Sequence, residues 1–162
     1  MLPEEVCILS SSLEELNLRR NILVGTIPGC LFRFRQLTRL GLDSNLLTGD
    51  VPRGILTIPN LRVVNLSDNR LSGSMDRMFD APAAVAVGES PIGSLSYLGL
   101  HKNRLTGTVP SALSDFVNLS MLRLEQNSLV GTIGSALCGN LLLQRFTVDC
   151  DEVDCFCCTN CV

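Results

Sequence analysis

The sequence has no apolar run of about 18 residues, so it offers no membrane-spanning helix. It does not open on a basic segment followed by an apolar one, so no signal peptide is visible. It has no basic run. Its 13 Lys+Arg and 16 Asp+Glu are interleaved and leave a net charge of −3, which argues against nucleic acid or an anionic membrane as main partner. It has no tryptophan, one tyrosine (Tyr97) and one histidine (His101). Without a second histidine, His101 is a poor metal ligand and reads as a solvated surface group. No cofactor is expected.

What the chain does have is leucine at fixed intervals. Leu95, Leu98, Leu100, Asn103, Leu105 and Gly107 precede Val109-Pro110. The same frame runs through Leu13, Leu16, Leu18, Asn21, Leu23, Gly25 and Ile27-Pro28. It recurs from Leu37 (Asn45, Gly49, Val51-Pro52), Leu61 (Asn69, Gly73, Met75) and Leu119 (Asn127, Gly131, Ile133), and a sixth copy begins at Leu143. The starts at 13, 37 and 61 are 24 residues apart, as are those at 95, 119 and 143. A self-repeat of this period is a solenoid, and L-x-x-L-x-L-x-x-N-x-L is the leucine-rich repeat (LRR) pattern.

Each position has a mechanical reason. L-x-L alternates with period two, so it predicts a short strand with one face in and one out. Inward leucines of successive turns stack into one core, worth roughly 1.5–3 kcal/mol per buried side chain, which no turn can bury alone. The asparagines Asn21, Asn45, Asn69, Asn103 and Asn127 are expected to form an inward ladder, because an amide both donates and accepts. The glycine suits a φ > 0 turn. The proline ends ladder bonding and starts the convex segment.

The L-x-G-x-(I/V)-P half of the repeat resembles the plant-type extracellular LRR of receptor-like kinase ectodomains, receptor-like proteins and polygalacturonase inhibitors. The resemblance covers about residues 13–137, with a gap at 76–94. It implies an α/β solenoid, a curved right-handed coil with a concave parallel sheet and a loop or 3-10 convex side. It also implies a non-catalytic module, extracellular or at the cell surface, that binds a protein, peptide or glycan through the concave sheet. A structural or cell-wall spacer is the alternative. Leu2-Pro3, Val6 and Leu9 look like the tail of another repeat without a polar cap, so an N-terminally incomplete sequence is expected.

The outward strand positions predict the concave surface. Its middle patch is Val63, Tyr97, His101, Met121 and Arg123, flanked by Arg39 and Glu125, and it mixes residue types enriched at interfaces. Ser67, His101 and Glu125 share one column, in the order of a nucleophile, base and orienter. A flat sheet has no oxyanion donors and the serine no strained elbow, so a hydrolase is a remote alternative. Residues 77–94, rich in proline and glycine, read as an insertion on the convex side, either a partner-binding excursion or a tolerated loop. Asn65 and Asn118 open N-x-S sequons and are glycosylation candidates.

Five of the eight cysteines fall between 150 and 161, which favours an oxidising compartment. The chain is therefore divided into a solenoid, 1–149, and a cysteine-rich cap, 150–162. The block D-C…C-x-C-C-x-x-C is similar to the end of secreted algal LRR proteins. Cys138, Cys150, Cys155, Cys157, Cys158 and Cys161 are expected to form disulfides; zinc is the rival. Continuing the 24-residue frame puts Cys161 one turn beyond Leu137, so Cys138 is expected to bond Cys161 or Cys158. Cys7 and Cys30 are offset in the frame and are either a disulfide or two buried thiols.

Overall fold

The computed structural model describes residues 2–79 and 94–162. Seven strands form one parallel sheet: Glu15–Asn17, Arg39–Gly41, Val63–Asn65, Tyr97–Gly99, Met121–Arg123, Arg145–Val148 and Asn160–Cys161. The first six pair in the repeat frame, so Leu16, Leu40, Val64, Leu98, Leu122 and Phe146 stand in one inward column. Five of these six are at most 1% exposed; Leu16, in the first full turn, is half-buried. The core thus deepens once a turn has neighbours on both sides, as stacked repeats require.

Pro28 and Pro110 cap the convex 3-10 turns Gly29–Arg33 and Ser111–Asp115. A fixed φ and a missing N–H suit the first position of such a turn. Leu31 and Leu113 bury inward from them. Met75 and Met78 do the same from the turn Met75–Phe79, so residues 77–79 belong to the repeat rather than to an excursion. Phe79 meets Phe116 edge-on at 6.3 Å. The rest of the expected 77–94 insertion, residues 80–93, lies outside the described residues. At its far end Ser94 returns to the stack, its hydroxyl donating to the carbonyls of Pro59 and Leu61. Among the described residues no helix is long and apolar enough to cross a membrane.

The asparagine ladder forms as expected. Asn45 Oδ1 accepts the Leu23 N–H, and its Nδ2 donates to the carbonyls of Leu18 and Leu42, all at 3.0 Å. Asn69, Asn103 and Asn127 repeat this across their own neighbours. The Asn21 side chain, by contrast, donates to the carbonyls of Leu18 and Arg19 in its own turn. The repeat glycines have φ between 79° and 95°. One feature has no sequence signal. The residue before each ladder asparagine (Arg20, Ser44, Asp68, Lys102, Gln126) also has a positive φ, between 52° and 60°, without being glycine. Such a residue costs about 1–2 kcal/mol. Its N–H is held by the next turn, as in Lys102 to the Glu125 carbonyl at 2.9 Å.

All eight cysteines are in disulfides. Cys7 bonds Cys30, which settles that pair, and no thiolate in the C-terminal block is left for zinc. Cys138 does tether the cap, but its partner is Cys157, with Cα atoms 5.6 Å apart, not the expected Cys161 or Cys158. Cys150 bonds Cys161, and Cys155 bonds Cys158. The correction has a physical cause: the last turn abandons the 24-residue frame. Asn160 and Cys161 pair with Thr147 and Val148, only 13 residues back. Cys161 is thereby drawn to the concave sheet beside Cys150, leaving Cys157 next to the helix Ser135–Cys138.

Candidate functional site

The sheet presents three outward columns, numbered here from the N-terminal ends of its strands. The first is Glu15, Arg39, Val63, Tyr97, Met121 and Arg145; the second is Asn17, Gly41, Asn65, Gly99, Arg123 and Thr147. Just past the strands stand Arg19, Asp43, Ser67, His101, Glu125 and Asp149. Parallel strands lie about 4.8 Å apart, so neighbours in a column are in reach of one another.

The C-terminal half of this face is tightly bonded to itself. Tyr97 folds down over Gly99: a Cβ on that glycine would stand 2.6 Å from the tyrosine oxygen and 2.7 Å from Asn65 Oδ1. Arg123 pairs with Glu125, which is only 5% exposed. The Thr147 hydroxyl donates to the other oxygen of Glu125. Burial pushes the Tyr97 phenol up, with Arg123 opposing. Burial, then the charge of Arg123, holds the His101 imidazole below its usual range. For Glu125, burial acts upward, but the Thr147 hydroxyl, its own backbone N–H and Arg123 together keep the carboxyl below its ordinary value. His101 Nδ1 is buried and has no hydrogen-bond partner among the described residues.

The N-terminal half is looser. Arg39 and Glu15 are exposed. Asp43 is buried and paired with Arg19, Nε to Oδ2 at 3.4 Å. Gly41 is the other glycine of the middle column, and only Asn17 comes near the place of a Cβ there, its side-chain Oδ1 at 3.2 Å. The result is a depression of about 210 Å³, floored by Leu40 and Gly41 between Asn17 and Asn65.

Of the residues singled out by sequence, the structure gathers Tyr97, His101, Arg123 and Glu125 into one cluster. Val63 and Met121 flank Tyr97 in register. Arg39 stands apart, in the other half beside Val63. The Ser67–His101–Glu125 column does not form a relay. Ser67 donates its hydroxyl to Asn65 Oδ1 at 2.7 Å, and Glu125 is held by Arg123 and Thr147. Asn118 is exposed, whereas Asn65 is half-buried on the concave face. Sequence reasoning puts Asn17, Gly41, Asp43 and Thr147 among the outward positions but outside its patch. Glycine as the last residue of two strands, where close approach of other atoms is a usual reason for it, was the available signal.

The Leucine Rich Repeat family model matches residues 12–34, 60–80 and 94–116. No curated protein matches the sequence. Solved plant structures do. The plant peptide hormone receptor RGFR1, in complex with RGF2, is 31% identical with a TM-score of 0.76, over 95% of this chain and 23% of that one. The Arabidopsis receptor kinase HAESA ectodomain, in complex with an N-terminally extended IDA peptide hormone ligand, is 28% identical with a TM-score of 0.79, over 95% and 24%. A chain of the BIR3–SERK2 complex from Arabidopsis thaliana is 33% identical with a TM-score of 0.62, over 82% and 68%. The chain thus spans about a quarter of the length of the two hormone receptors. Repeat frame, stacked parallel sheet and these likenesses agree: the chain belongs to the leucine-rich repeat family, with repeats of the plant extracellular receptor type.

Proposed function

We propose that this chain is a non-catalytic recognition module of an extracellular or cell-surface protein, and that its concave sheet binds a protein or peptide. The observation that carries the reading is the continuous concave face, on which Val63, Tyr97, Met121 and Arg123 stay half-buried in adjacent columns. Half-buried aromatic, methionine and arginine side chains are pre-ordered and still contactable, the profile of binding hot spots. Two further observations support it. Of the similar structures, RGFR1 is a peptide hormone receptor in complex with RGF2, and HAESA is in complex with the IDA peptide hormone. Four disulfides suit an oxidising, extracellular setting.

Arg39, Val63, Tyr97, His101, Met121, Arg123 and Glu125 form the proposed surface, and residues 150–162 cap its last turn. The exposed Asn118 is the better placed of the two proposed glycosylation sites. The test is to pan a displayed random-peptide library and a library of secreted proteins on the disulfide-intact protein. A recovered ligand should lose about 10- to 100-fold in affinity with Tyr97→Ala or Arg123→Ala, as hot-spot truncations do. Arg33→Ala on the convex side should change it little. Equal losses on both faces would overturn the concave site. Failure to recover any ligand, protein or peptide, would favour the structural spacer.

A further inference from the structure

We infer that Cys155–Cys158 is a thiol–disulfide exchange site, a bond that accepts two electrons from a small thiol or dithiol while the solenoid and its cap stay folded. The inference stands independently of the concave-face reading. The other three disulfides join separate pieces of the fold. Cys7–Cys30 links the 3-10 segments Glu4–Ser11 and Gly29–Arg33 across a sequence separation of 23. Cys138–Cys157 links the helix Ser135–Cys138 to the last turn across 19. Cys150–Cys161 holds the last strand to the chain just past the strand before it across 11. Cys155 and Cys158 are separated by only 3, with Cα atoms 5.7 Å apart, so their bond closes a single turn and joins no two elements. A loop this short gives the smallest closure contribution to folding of the four.

The cap is held without this bond. Before the turn, Val153–Asp154 pairs with Gly131–Thr132; after it, Asn160–Cys161 pairs with Thr147–Val148. Between them Cys157 is tied to Cys138. Residues 155–159 belong to no strand or helix, so the freed thiols can part without breaking a strand pair, and the freedom they gain favours the reduced form. The turn is also accessible: Asp154, Phe156 and Thr159 are exposed, and Phe156, between the two cysteines, is 73% exposed. Local charge sets the direction of use. Asp151, Glu152 and Asp154 precede the turn, and no Lys, Arg or His lies between 146 and 162. That setting disfavours a thiolate, so the reduced pair attacks other disulfides poorly and the site receives electrons rather than reshuffling its neighbours. With a dithiol, one reductant sulfur attacks one sulfur of the pair, forming a mixed disulfide and releasing the other as a thiol. The second reductant sulfur then displaces the first protein sulfur. The reductant leaves as its own disulfide, and Cys155 and Cys158 each end with one proton.

The test treats the whole, disulfide-intact protein with limiting dithiothreitol, alkylates the freed thiols at intervals and maps the labelled cysteines by fragment ions. Cys155 and Cys158 should be labelled about 10-fold faster than any other cysteine. Excess oxidised glutathione should then restore the same pair. Protein reduced at this pair alone should keep hydrogen exchange in residues 145–162 within about 2-fold of wild type, and so should the double variant Cys155→Ser/Cys158→Ser. Loss of protection across the cap in either form would make the bond a structural one and overturn the site. Opening of Cys138–Cys157 or Cys150–Cys161 before it or together with it would do the same, as would re-oxidation into a different pairing.

Discussion

The two halves of the concave face carry the same glycine in the same column and put it to opposite use. Over Gly99 the molecule supplies its own occupant: Tyr97 lies in the gap, beside the Arg123–Glu125–Thr147 cluster. Over Gly41 only the short side chain of the neighbouring Asn17 comes close, its Oδ1 3.2 Å from the place of a Cβ. The first column decides the difference. The residue two before Gly99 is a tyrosine, long enough to reach back over the strand; the residue two before Gly41 is Arg39, which stays exposed. A repeat protein can thus vary one residue per turn and turn identical backbone into either a filled or an open site.

Removing the anchor of the closed half should have the largest effect. Cys138–Cys157 closes a loop of about 20 residues and should contribute about 3 kcal/mol. In Cys138→Ser, hydrogen exchange should rise in residues 145–162, next to Thr147, and stay unchanged around Gly41, because a solenoid couples only neighbours. Uniform loss of protection would show that the two halves are one unit.

Glu125→Ala should come next. It leaves Arg123 and Thr147 without their shared acceptor in a buried setting and should cost about 2 kcal/mol. Asp43→Ala in the open half also removes a buried carboxylate, but its partner Arg19 is largely exposed, so the loss should be nearer 1 kcal/mol. Chemical denaturation of both variants measures the contrast, and equal losses would erase it.

The glycines themselves give the sharpest paired test. Gly99→Ala must expel Tyr97 and should cost about 1–3 kcal/mol, with a change in tyrosine fluorescence, since Tyr97 is the sole tyrosine. Gly41→Ala meets only Asn17 Oδ1 at 3.2 Å and should stay within about 0.5 kcal/mol of wild type.

Acid should loosen the closed half by the smallest amount. The His101 pKa is depressed by burial and Arg123, so the unfolded chain binds the proton more readily, and stability should fall as pH drops below the ordinary histidine range. The Glu125 pKa is also below its ordinary value. Its contribution is present above that value and is lost as pH falls further, through the folded pKa. His101→Gln should flatten the first part of the thermal-melt profile and leave the second. An unchanged profile would show that His101 stays solvated in both states.

The repeat frame made most of the fold legible in advance. Inward leucines, the asparagine ladder and the φ > 0 glycines depend on contacts one period away, and sequence states that period directly. It did not show the left-handed residues before each asparagine. They are dissimilar side chains, and the strain is held by the next turn's carbonyls rather than by anything local. At the end of the chain the frame misled. Asp149 offers its carboxylate to the N–H groups of Gln126 and Asn127, standing in for the carbonyls of a missing regular turn. The chain then returns to the sheet early, and that move re-sorted the cysteine partners.

For the concave face, sequence alone determined which side chains point outward and in which column, because strand alternation and a 24-residue period leave no other choice. Only the tertiary structure decided which of them are spent on one another. Whether Tyr97 lies down over Gly99, whether Asn17 Oδ1 turns toward Gly41 and whether His101 Nδ1 is buried depend on side-chain torsions and distances between neighbouring turns. Those follow from packing across strands about 4.8 Å apart, and no pattern along the chain encodes them.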